Sequence, residues 1–149
     1  MELELLATVA QQAALGFFAT LGFAIWFNVP KDLLLRGALT GMVGFLVRAT
    51  LLASGFAPAA ASFVASFCIG TLGYLIAKHG RSPRVIFTIP GIIPLVPGIP
   101  AYEALVSFVH GDLQAGLDNV VRATLVTGAL AGGLTAARAL TLRRDTTEG

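Results

Sequence analysis

Residues 5–30 carry no charged side chain, and neither do residues 55–77 or 85–102. About 20 consecutive apolar residues suffice to cross the hydrocarbon core of a bilayer as a helix. A helix satisfies its backbone polar groups internally, which is the condition for sitting in lipid. Composition points the same way. Hydrophobic residues make up 56% of the chain and charged residues 12%, about half the roughly 25% of a soluble domain. Mean hydropathy is +0.82. So little charge cannot cover so much apolar surface in water. These features exclude a soluble enzyme, a nucleic-acid-binding domain, a disordered chain and a disulfide-stapled module. The net charge of +2 implies no anionic partner, because the basic residues fall in short loops where topology demands them.

We therefore expect an all-α polytopic membrane protein, one domain over residues 1–149. Its five spans lie at about 5–28, 33–54, 59–77, an interrupted 85–109, and 117–140. Five spans use about 100 residues, which leaves no room for a separate soluble domain. Pro30 and Lys31 end the first span, residues 54–58 read as a tight turn, and His110-Gly111-Asp112 separates the last two. Glu2 and Glu4 stand where a cleaved signal would need bases, so the first run is expected to be a mature helix. Cys68 lies in an apolar run and reads as a small packing residue.

Charge placement orients the layout. If the first polar loop is cytoplasmic, Lys31, Arg36, Lys78, Arg81, Arg84, Arg138, Arg143 and Arg144 all fall on that side, eight of the ten basic residues. Glu2, Glu4, Asp112 and Asp118 fall on the other. The pattern predicts an outside N-terminus and a cytoplasmic C-terminus. Trp26 and Tyr74 then sit near the cytoplasmic interface.

Small residues recur at helical spacing: Gly37, Gly41 and Gly44; Ser62, Ser66 and Gly70; Gly128 and Gly132. Residues four apart share a helix face, and small side chains let helices approach closely. The stripes serve packing within this chain or against other chains, and five short helices leave room for partners, so homo- or hetero-oligomers are both expected.

The most informative stretch is residues 89–100, which holds four of the seven prolines: Pro90, Pro94, Pro97 and Pro100. In a continuous helix they would strip the carbonyls of Ile86, Pro90, Ile93 and Val96 of their partners. They would also push Ile89, Ile93, Val96 and Ile99 out of the helical region. Gly91 and Gly98 add backbone freedom. A regular helix through this stretch is not expected. Irregular backbone survives at membrane depth only where protein buries it or a wet cavity reaches it. Broken helices of this kind form substrate sites in many transporters; the plainer alternative is a kinked packing helix.

Two arginines lie deeper within spans than the end-placed Arg36 and Arg138. Arg48 is twelve residues beyond Arg36, about 18 Å along a helix, where a guanidinium costs about 2.5–3.5 kcal/mol. It either snorkels to the outer interface or faces the bundle and meets a carboxylate, for which its planar fork is suited. Arg122 lies nearer its span's outer end and reads as interfacial. Glu103, beside Tyr102, follows the proline segment; it could accept an ammonium, relay protons, pair with Arg48, or simply sit at the interface. No metal-ligand spacing, phosphate loop, dinucleotide fingerprint or nucleophile–base pair is present, so neither an enzyme nor a cofactor is expected.

Phe27-Asn28-Val29-Pro30, Arg48 followed by Ser54-Gly55, Ala65-Ser66-Phe67 with Gly70-Thr71-Leu72-Gly73, and residues 90–102 occur in an order and spacing that resemble the small membrane subunit of the threonine/serine exporter family, the YjjB type. The resemblance covers about residues 17–109, and the run from Pro90 to Tyr102 is its most specific part. It implies an exporter in the bacterial inner (plasma) membrane. It further implies a small-molecule substrate, either threonine and serine or a dicarboxylate such as succinate, and a larger partner subunit of the YjjP type. A pathway role then falls on Arg48, Pro90, Gly91, Pro94, Pro97, Gly98, Pro100 and Tyr102; Glu103 joins these candidates by its place directly after the run, not through the resemblance. The rival expectation is a scaffold subunit that carries no substrate itself.

Overall fold

The computed structural model describes residues 2–80 and 82–147, with side chains over 7–80 and 82–141. Arg81 and the side chains of Glu2, Glu4, Arg143 and Arg144, used in the charge argument, lie outside the described residues. The described chain is helical, without strands. It comprises α1 (Glu2–Trp26), α2 (Lys31–Ala53), α3 (Pro58–Gly80), α4 (Val85–Ile92), a 3-10 turn (Ile93–Leu95), α5 (Gly98–Val109) and α6 (Leu113–Thr147). α1, α2, α3 and α6 are each long and apolar enough to cross a membrane. The segment from Val85 to Val109 is bent by 42° at its break and supplies a fifth crossing when counted as one broken span.

Three of the helix ends are closed by one device. Asn28, Gly55 and Gly111 adopt φ values of 55°, 85° and 81°. In each case the residue after it donates its N–H five residues back: Val29 to Ala24 at 3.0 Å, Phe56 to Leu51 at 3.0 Å, and Asp112 to Ser107 at 2.9 Å. This is the Schellman closure, which satisfies orphan carbonyls and needs a left-handed residue that glycine or asparagine supplies. Asp112 then caps the next helix, its Oδ1 accepting from the Ala115 N–H at 3.0 Å. For that reason α6 begins at Leu113 rather than at the expected 117.

Close backbone approach holds the bundle together. A Cβ on Gly41 would overlap the side chain of Thr20 in α1, and one on Gly91 would lie 3.3 Å from Ile69 and 3.6 Å from the Gly41 Cα. A Cβ on Gly133 would collide with Ser66 Oγ and the Phe63 carbonyl. With lipid tails as apolar as the side chains, such contact supplies the attraction between helices. Gly41, Gly44, Ser62, Ser66 and Gly70 are buried as the stripes imply. On α6 the closest approach is at Gly133, with Gly132 beside it against Phe63, while Gly128 is exposed and a Cβ there would meet nothing within 4 Å. Larger side chains fill two clusters. Phe87 packs with Ala24, Val29, Leu33 and Ala77. Ile69 packs with Ala65, Leu95, Val126 and Leu130.

The proline segment departs from expectation in an instructive way. Pro90 lies inside α4 and Pro94 in the first positions of the 3-10 turn, while Pro100 falls in the first turn of α5. Ile89 and Ile99 stay within helices, and Ile93 keeps helical angles (φ −52°, ψ −45°). Only Val96 turns extended (φ −61°, ψ 133°), followed by Pro97 at ψ 68°. A proline in a first turn forfeits no hydrogen bond, because those N–H groups have no intrahelical acceptor. The break is therefore one point, at Val96-Pro97, rather than a run of disorderly backbone.

Candidate functional site

The break faces a cavity of about 460 Å³. Its walls come from three directions: residues 95–100 around the break, the α2–α3 turn at Ala57, Pro58 and Ala59, and Leu125 and Val126 of α6. Two guanidinium-bearing residues complete it, Arg48 from α2 and Arg122 from α6.

Local structure explains how Arg48 gets there. It sits five residues before the end of α2, about 8 Å from that end. The Schellman closure at Gly55 turns the chain straight back, so the start of α3 packs beside the last turns of α2. Arg48 is half-buried, and its Nε donates to Ser62 Oγ on α3 at 3.2 Å. The side chain is thus directed to α3. Arg48 also lines a second cavity of about 350 Å³ on the α1 side, with Thr8, Val9, Gln12, Phe45, Ala49, Leu52 and Ala53.

The break contributes polarity of its own. Gly98, Ile99 and Pro100 form the first turn of α5 and line the larger cavity. A helix N-terminus carries a partial positive charge, felt within its first turn. Arg48, Arg122 and this helix end therefore bring the same sign to one hollow whose remaining walls are apolar, an arrangement that favours an anionic group.

Among the residues singled out from sequence, Arg48, Pro97, Gly98 and Pro100 come together at this cavity. Pro90 and Gly91 are buried below it, Gly91 against α2 and α3. Pro94 is half-buried in the 3-10 turn and is not part of the wall. Tyr102 and Glu103 are exposed on α5, away from the cavity lining, and among the described residues no ion pair joins Glu103 to Arg48. Arg122, read as interfacial, shares the cavity with Arg48. Its spacing to Leu125 and Val126, three and four residues on, was the available signal. Ser62 was read only as a member of a small-residue stripe.

The opposite end of the bundle gathers the loop cations. Arg84 Nη1 donates to Thr141 Oγ1 at 3.4 Å. The Lys78 and Arg84 head groups each lie 5.9 Å from the centroid of the Tyr74 ring. Arg36 and His79 share a groove beside them.

A family model described as "Threonine/Serine exporter, ThrE" matches residues 12–140, a range that takes in the break, the whole lining of the larger cavity and the two arginines. No solved structure matches the chain.

Proposed function

Because the chain belongs to the threonine/serine exporter family, a family of transporters rather than enzymes, we propose that the cavity at Val96-Pro97 is part of its export pathway. The cargo is a small carboxylate-bearing metabolite, threonine and serine or a dicarboxylate such as succinate. The observation that carries this reading is the meeting of Arg48, Arg122 and the first turn of α5 around one apolar hollow. A carboxylate suits a guanidinium fork geometrically and electrically, and a half-helix N-terminus adds to the attraction. Apolar walls keep the local dielectric low and strengthen both.

On this reading the chain works with a larger subunit of the YjjP type in the bacterial inner membrane. Its N-terminus faces outward and its C-terminus the cytoplasm. The gathering of Arg36, Lys78, Arg84 and Arg138 at one end of the bundle supports that orientation. The large apolar surface left exposed on α1, α5 and α6 is available to lipid and to a partner.

The test is transport of threonine, serine and succinate in vesicles that hold both subunits. Arg48→Ala is expected to cut transport by at least roughly tenfold, the cost of losing a hydrogen-bonded charge partner, and Arg122→Ala by a smaller factor. Unchanged transport by Arg48→Ala at equal protein level would overturn the assignment. Thiols placed at 96 and 99 should react with aqueous reagents and be shielded by substrate; if they are not shielded, the chain is a scaffold for a pathway elsewhere.

A further inference from the structure

Several span hydroxyls in this protein follow one habit, and Ser62 departs from it. Thr40 donates to the Arg36 carbonyl at 2.9 Å, Ser66 to Phe63 at 3.0 Å, Thr71 to Phe67 at 2.9 Å and Thr135 to Ala131 at 2.8 Å. Each hydroxyl returns its proton to its own helix, three or four residues back, as hydroxyls in spans generally do. Ser62 is fully buried, at 0% exposure, and its hydrogen bond runs between helices: its Oγ accepts from Arg48 Nε at 3.2 Å.

The choice of nitrogen matters. A guanidinium carries five N–H groups in one plane: one on Nε and two on each Nη. Fixing Nε fixes the plane, and it leaves the two Nη groups as a fork with parallel donors. That fork is the edge that matches a carboxylate with two bonds. Without the Nε contact, a long side chain with several rotatable bonds would spread over many orientations between the two cavities it lines.

We infer that Ser62 is a positioning residue: it holds the Arg48 guanidinium by Nε so that the Nη fork is presented to the carboxylate of the cargo. The inference rests on the reading of the cavity as a carboxylate site. Ser62 touches no cargo, and its effect passes entirely through Arg48.

The experiment measures KM and maximal rate for threonine, serine and succinate in vesicles holding both subunits. Ser62→Ala should raise KM by roughly tenfold, the usual cost of one hydrogen bond to a charged group, with the maximal rate within about twofold of wild type. Ser62→Cys is the decisive variant, because sulfur keeps the volume but accepts hydrogen bonds weakly. It should behave like Ser62→Ala, and a wild-type KM in Ser62→Cys would overturn the inference, since packing alone would then suffice. Arg48→Met keeps a similar stem and removes every donor, so adding Ser62→Ala to it should change KM no further. If the two changes multiply instead, Ser62 acts independently of Arg48 and the inference fails. If Arg48→Met and Arg48→Ala both leave KM unchanged, it is the carboxylate-site reading that falls.

Discussion

α4 and α5 are the two halves of one interrupted apolar segment, yet they meet their surroundings differently. α4 buries Phe87, Pro90 and Gly91 and packs against α1, α2 and α3. α5 buries only Ala104 among its residues and packs chiefly on α6. Ile99, Tyr102, Leu105 and Val109 of α5 are 65–85% exposed. Apolar character alone does not explain the contrast, because lipid accepts an apolar side chain as readily as a core does. Fit separates them. Gly91 lets α4 settle against Gly41 and Ile69, whereas a Cβ on Gly98 of α5 would meet nothing within 4 Å. One half is clamped by shape; the other is held at one edge and borders the cavity.

Substitutions can break that contrast or sharpen it. The largest effect is expected from Phe87→Ala, which should destabilise the protein by about 2–3 kcal/mol in a detergent or bilayer unfolding titration. This is the cavity part of the usual large-to-small cost, since the alternative to burial here is lipid rather than water. Ile99→Ala should stay within about 0.5 kcal/mol of wild type, and equal losses from the two would erase the distinction.

Gly41→Ala comes next, at about 1–2 kcal/mol, because its methyl would overlap Thr20. Thr20 Oγ1 is a buried oxygen without a hydrogen-bond partner among the described residues. Thr20→Ala should therefore be nearly neutral alone, and Thr20→Gly, which also removes the Cβ that the new methyl would overlap, should restore Gly41→Ala; additive losses in that double variant would mean the two helices do not meet there. Gly98→Ala should leave thermal stability unchanged.

A smaller difference, about tenfold, is expected in thiol chemistry in a Cys68→Ala background. Cysteines at 96 and 99 should outpace one at 87 or 91 in reaction with a charged maleimide. The smallest effect belongs to Pro100→Ala, under about 0.5 kcal/mol, because a first-turn N–H needs no intrahelical acceptor. A larger loss would mean that α5 starts elsewhere.

Much of the fold could be read directly. Uncharged runs located three of the crossings, those of α1, α3 and the broken segment, and Asn28, Gly55 and Gly111 stand at turns because few other residues tolerate positive φ. What escaped was positional. Four prolines look equivalent in a sequence, but their cost depends on where in a helix each falls: Pro94 and Pro100 lie in first turns and Pro97 at a helix cap, whereas Pro90 lies in the body of α4 and forfeits a bond. The site was half visible. Arg48 stood out as a cation at depth. Arg122 and Ser62 did not, because each acquires its meaning from a neighbour far away in the chain, one across a cavity and one through a single bond. Tyr102 and Glu103 drew attention by adjacency to the prolines, and helical rotation turns them to the outside.

Arg48 belongs to the walls of both hollows, the one beside α1 and the one at the break. The two spaces therefore share one cation, and only the hollow at the break has a second, Arg122. An anion lodged in the first offsets the Arg48 share of the field that would welcome another in the second, by Coulomb's law in a poorly screening medium. However many molecules the volume could accommodate, electrostatics admits one at a time to that cation.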